Sequence, residues 1–231
     1  MHSEDRLIHF STELIHRAKQ HDVKTLQKLY YELSQSGHAN YQSTDFSAPN
    51  QVRFYSRRGK SSQSLALFLA DRILLMEEWA DIPLSDFLAK VEEVAGRAMV
   101  ELGIAEFAAQ TVTLRSTFVL TAHNDARTFM LNRVCQQQDK IAPHFERPIG
   151  VGGMRFVLPE TPEYPGTLNV IVESFRQSAN EVFVEVKGVH QNQRAGPEDL
   201  QVLKDRLLEA RTFISECVFP YLNQFDTPDS V

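Results

Sequence analysis

The sequence predicts an α+β fold: two consecutive β-α-β-β(-β)-α halves, with an antiparallel sheet and helices packed mainly on one face. Three observations carry this. Several segments alternate apolar and polar residues at period two, others repeat apolar residues at helical spacing, and the two kinds follow the same order in residues 7–103 and 111–224. The halves are read as 1–106 and 107–225, a pseudo-repeat that forms one compact domain or two small ones, with two antiparallel sheets or one continuous sheet, followed by a flexible tail at 226–231.

The helices come first because their stripes are long. From Leu84 to Leu102, Phe87, Leu88, Val91, Val94, Ala95, Ala98 and Met99 share a face, with Ser85 as a candidate cap and Gly103 as the stop. Near the C-terminus Gly196-Pro197-Glu198-Asp199 opens a helix that carries Leu200, Leu203, Leu207, Ala210, Phe213, Ile214 and Cys217 until Pro220 ends or kinks it. Shorter helices are predicted from Asp22 to about Ser36 and from Asp125 to about Gln137, the latter capped by Asn124 or Asp125.

Alternation predicts strands at Thr111–Thr121, Leu168–Phe175 and Glu181–Lys187. Gln177-Ser178-Ala179-Asn180 turns the last two into a hairpin. Further strands are expected at Val52–Arg57, at Leu65–Trp79 (one, or two turning near Asp71) and at Gly152–Leu158; Leu7–Ile15 fits a strand or a helix, with strand preferred. An antiparallel sheet covered by helices on one side leaves its other face to solvent or to a partner.

Three segments resemble the middle of a known group. They are SLALFLADRILLMEEW (64–79), the helix LSDFLAKVEEVAGRAMVELGI (84–104) and the strand VTLRSTFVL (112–120). Together they are similar to a sporadically distributed family of uncharacterised bacterial proteins of similar length. In that group paired strands also run into a helix and then a strand bearing Leu-Arg, here Leu114-Arg115; Ser116 stands where the group has an aromatic residue. The group has no established activity, so the resemblance implies a fold context and no chemistry.

Composition narrows the classes. The chain has 231 residues, 42% hydrophobic and 23% charged, with a formal net charge of −6, which works against nonspecific attraction to phosphate backbones. The acidic start MHSEDRLIHF does not read as a secretory signal, and the apolar run Leu65–Met76 is too short to cross a bilayer. Two distant cysteines, Cys135 and Cys217, suit buried thiols in a reducing compartment, so the cytoplasm is expected.

The motifs that would name a reaction are incomplete. Phe54–Ser61, FYSRRGKS, ends like a phosphate-binding loop but has Phe54 where the first glycine is required. Gly150-Val151-Gly152-Gly153 has Arg155 in the place of a dinucleotide fingerprint's third glycine and leads into a strand. The eight histidines include no His-Glu-x-x-His, and no Gly-x-Ser-x-Gly elbow occurs, so no metal ligand set and no cofactor are expected.

Three residue sets remain. Arg53, Arg57, Arg58 and Lys60, interleaved with Phe54 and Tyr55, form a basic patch of the kind that binds nucleic acid, set against an acidic chain that points away from that partner. Arg115, His123, Asp125 and Arg127 lie where a strand hands over to a helix and have the residue types of an anion or acid–base site. Tyr55, Ile171, Glu173, Phe175, Phe183 and Glu185 project from the uncovered face of the predicted sheet, mixing rings and apolar groups with charges as partner surfaces do. The expected function is a non-catalytic interaction protein that associates through this face with itself or with a protein partner; the alternative is an enzyme or small-ligand binder at Arg115, His123 and Asp125.

Overall fold

The computed structural model describes residues 6–48, 51–59, 61–191 and 194–228. Among the described residues, nine strands form one antiparallel sheet in the order β2-β3-β4-β5-β1-β6-β9-β8-β7. In chain order they are β1 Arg6–Ile15, β2 Ser43–Ala48, β3 Gln51–Arg58, β4 Ser62–Leu69, β5 Arg72–Glu78, β6 Ala109–Val119, β7 Gly153–Leu158, β8 Thr167–Ser174 and β9 Glu181–His190. The helices are α1 Val23–Ser34, α2 Leu84–Leu102, α3 Ala126–Thr128, α4 Gln138–Phe145, α5 Leu200–Phe213 and α6 Phe219–Asn223. The α+β class is therefore as the sequence predicts, and the sheet is a single one.

The first and last strands of the two flanks meet in the middle. β1 pairs with β6, so β5-β4-β3-β2 extends on one side and β9-β8-β7 on the other. Alternation decides which side chains face the helices. Phe10, Leu14, Phe54, Phe68, Ile73, Leu75, Val112, Leu114, Val170, Val172, Val182, Val184 and Val186 are buried there. They meet the stripe Phe87, Val91, Val94, Ala95 and Ala98 of α2, Leu26, Leu29 and Leu33 of α1, and Leu203, Leu207 and Ala210 of α5 in one hydrophobic core. Each valine, leucine, isoleucine or phenylalanine among them contributes about 1.5–3 kcal/mol relative to an exposed one.

Local chemistry sets the ends. Asp22 caps α1 by accepting from the Thr25 backbone N–H at 3.0 Å, and Asp125 caps α3 by accepting from Arg127 and Thr128 at 2.9 and 3.0 Å. Gly103 ends α2 in the left-handed region at φ 64°, where a Cβ would be strained. Four expectations change. The N-cap position of α2 is Pro83, not Ser85. α3 continues as a π-helical turn, Phe129–Val134. Pro220 does not end the last helix: the helix runs on through a π-helical turn at Ile214–Val218 into α6, whose second residue is the proline. Finally, β2 and α4 are elements not anticipated from the sequence, so the first half carries four strands between its helices.

Among the described residues, no helix is long and apolar enough to cross a membrane. The carboxylate of Asp226 accepts bonds from the Thr121 N–H and hydroxyl and from the Ala122 N–H, which holds the chain down past α6. Residues 229–231 of the expected tail lie outside the described residues.

Candidate functional site: the open face of the sheet

The sheet face turned away from the helices is built by the residues that alternate with the core. The strand registers line them up in rows. One row runs Tyr55, Leu65, Met76, Ser11, Thr113, Lys187, Asn169. The next runs Arg53, Leu67, Leu74, Glu13, Thr111, Val189, Thr167. A third, on the other side of the first, runs Arg57, Gln63, Glu78, His9, Arg115, Glu185, Ile171, Arg155.

Three zones follow from these rows. On β3, β4 and β5, Tyr55, Leu65, Leu67, Leu69, Leu74 and Met76 form a contiguous apolar patch, each half-buried by its neighbours and with no helix above it. On β8 and β9, Ile171 lies beside Glu185 and Glu173 beside Phe183, and the Phe175 ring stacks on Phe183 at 6.0 Å between centroids and 16° between planes. Five strand spacings, about 24 Å, separate Tyr55 on β3 from Phe183 on β9. The interface residues read from the sequence thus fall into two groups on one face.

Between them runs a polar belt. His9 Nδ1 lies 2.6 Å from Glu78 Oε2, His9 Nε2 lies 3.0 Å from Ser11 Oγ, and Arg115 Nε donates to Glu185 Oε2 at 2.7 Å. The hydrogen bond from His9, opposed by partial burial and helped by the charges of His9 and Arg115, holds the Glu78 carboxyl below its usual range. Carboxylate, imidazole and hydroxyl in this order can relay a proton, and the same order activates serine nucleophiles at the floor of substrate clefts. Here it lies on the open face of the sheet, with Ser11 in register beside Met76 and Thr113, so it separates the two apolar zones.

The strand-to-helix candidates do not assemble. Arg115 sits mid-sheet on the open face and is engaged by Glu185. His123 packs its ring on the buried Phe129 at 5.3 Å, and Asp125 is occupied by the cap of α3 and by Arg127 at 3.2 Å. His123 and Asp125 share a shallow depression with Asn132 and Arg133, and Arg115 does not line it. Of the basic patch, Arg58 pairs with Asp81 at 3.1 Å, Arg53 lies in register with Asp45, Arg57 is exposed on the open face, and Lys60 lies outside the described residues. Among the described residues, no three His, Cys, Asp or Glu side chains are placed to share a metal ion. No protein-family model and no curated protein matches the chain.

Titratable groups also lie under the other face. His190, at the end of β9, is 2% exposed, and burial, helped by the charge of Arg206, pushes its imidazole down to about 4. Gly166, at φ 108°, makes room for it: a Cβ there would lie 2.5 Å from His190 Nδ1. Because the folded-state value is below the unfolded one, the native state binds fewer protons between pH 6.5 and 4. Stability is therefore expected to be level above about pH 6.5 and to fall by on the order of 3 kcal/mol toward pH 4. Urea melts against pH check this; His190→Gln should flatten that part of the profile, and an unchanged slope would contradict it.

Proposed function

We propose that the chain is a non-catalytic association protein whose open sheet face receives a protein surface, either a second copy or another protein. The observation that supports this most is the contiguous apolar patch of Tyr55, Leu65, Leu67, Leu69, Leu74 and Met76, which spans three strands on the side opposite the helices. Sheet faces that stay in water carry threonine, lysine and glutamate at such positions, and a large apolar patch bordered by polar residues is the pattern of a binding surface. The adjoining belt of Glu78, His9, Arg115 and Glu185 supplies polar groups that fix orientation, while the rings of Phe175 and Phe183 offer the kind of rigid aromatic anchor that concentrates binding energy. A photo-reactive amino acid at Leu67 tests this: it is expected to yield one discrete protein adduct, and equal labelling at Tyr31 on the outer side of α1 would contradict it.

A further inference from the structure

The two edges of the sheet differ. β2 is polar, its register with β3 shifts between Asp45 and Ala48, and the Asp45 side chain accepts from the Ser47 N–H at 2.8 Å; such features discourage further pairing. β7, GMRFVL, has none of them. Five of its six residues are exposed, with Phe156 47% and Val157 57% accessible, and its one charge, Arg155, points to the open face.

The flanks also differ in length. Outward from the central β1–β6 pair, one flank has β5, β4, β3 and β2, and the other has β9, β8 and β7. β7 therefore holds the place of β3, and β3 is covered by β2, whose Phe46 packs against the core on the helix side. The second flank stops one strand short. Beside it, on the helix side, an apolar groove of about 550 Å³ is lined by Leu158, Tyr164, Leu168 and Phe213, with Tyr164 70% exposed.

We propose that β7 of a second copy supplies that strand, the two β7 edges pairing antiparallel about a two-fold axis. β7 meets the requirement itself: Met154, Phe156 and Leu158 all face the helix side, as Phe46 does on β2, so the two-fold sets one apolar stripe against its own copy. With Phe156 on the axis, Met154 lies opposite Leu158 of the second copy and Arg155 opposite its Val157, which avoids placing Arg155 directly against itself. The pairing joins two nine-stranded sheets edge to edge. It goes beyond the reading of the open face, because it leaves both faces uncovered and side by side for another protein.

Sedimentation of the full chain is expected to show twice the mass of one chain. Val157→Pro, which removes an edge donor, and Phe156→Lys should each return it to one chain with unchanged circular dichroism, while Leu67→Asp on the open face leaves the dimer intact. Phe156→Cys, with Cys135 and Cys217 replaced by serine, should form a disulfide dimer on oxidation, since residues facing across an antiparallel pair have Cα atoms about 4.5–5.5 Å apart. A wild-type monomer at every concentration, a dimer that survives Val157→Pro, or a Phe156→Cys variant that stays reduced would each overturn the pairing. A dimer lost only in Leu67→Asp would overturn it too while supporting association through the face.

Discussion

Lys90→Met is expected to lower the unfolding free energy by about 3–5 kcal/mol, the cost of leaving one partner of a buried ion pair alone. Lys90 comes from α2 and is buried beneath the sheet; its ammonium pairs with the buried Glu77 of β5 and donates to Ser64 Oγ of β4 at 2.9 Å, and Ser64 donates to the same Glu77 oxygen at 2.7 Å. The Tyr41 ring lies 5.6 Å from the ammonium. Burial pushes the Lys90 ammonium down, while Glu77 holds it up. Removing the lysine leaves a carboxylate in the core whose second oxygen, Oε2, already has no partner among the described residues. At about 2–4 °C per kcal/mol for a chain of this size, the melting temperature should fall by roughly 10 °C. The double variant Lys90→Met with Glu77→Leu should recover most of that loss, because an apolar pair of similar volume avoids desolvating two charges. Calorimetry of the three proteins checks it; a single variant that melts with the wild type would contradict the assignment.

Phe54→Ala is expected to cost a similar 3–5 kcal/mol, through a different mechanism. Phe54 is fully buried on the helix side of β3, its ring 4.7 Å from Phe68, 5.2 Å from Tyr30 and 6.2 Å from Tyr41, so it joins β3, β4, α1 and the segment after α1. Truncation forfeits both the transfer of the ring from water and the contacts of every neighbour that cannot close the gap. Phe54→Leu should lose much less, since most of the volume is kept. Denaturant melts that gave equal losses for alanine and leucine would point to a specific ring contact in place of volume.

How far the sequence carried the fold depends on how local each signal was. The stripe of α2 and the β8–β9 hairpin were legible because each is defined within about twenty residues. β2 was not: Ser43–Ala48 is polar apart from Phe46 and Ala48, and it owes its strand form to pairing with β3. α4 was missed because Pro143 lies inside an exposed helix with no continuous apolar stripe. The position of β1 between β5 and β6 is a contact across most of the chain, which no local pattern encodes.

The candidate site was legible in the same uneven way. Alternation correctly sent Tyr55, Arg115, Ile171, Glu173, Phe183 and Glu185 to the open face. It did not show that Leu65, Leu67, Leu69, Leu74 and Met76 share that face, because Leu65–Met76 is so uniformly apolar that its two sides cannot be told apart until the turn at Ala70-Asp71 sets the parity of both strands. His9, Ser11 and Glu78 carried no motif spacing; their hydrogen-bonded chain exists only once β1 and β5 are adjacent.

Cross-linking from the open face decides whether that face receives a protein. The photo-reactive residue is placed in turn at Leu67 on β4 and at Tyr31 on α1, in cells that make the protein naturally, and adducts are resolved by mass. The open-face account expects a discrete adduct from Leu67 that disappears when Met76→Asp is added, and none of that mass from Tyr31. Adducts of the same pattern from both positions, or a Leu67 adduct indifferent to Met76→Asp, would contradict it.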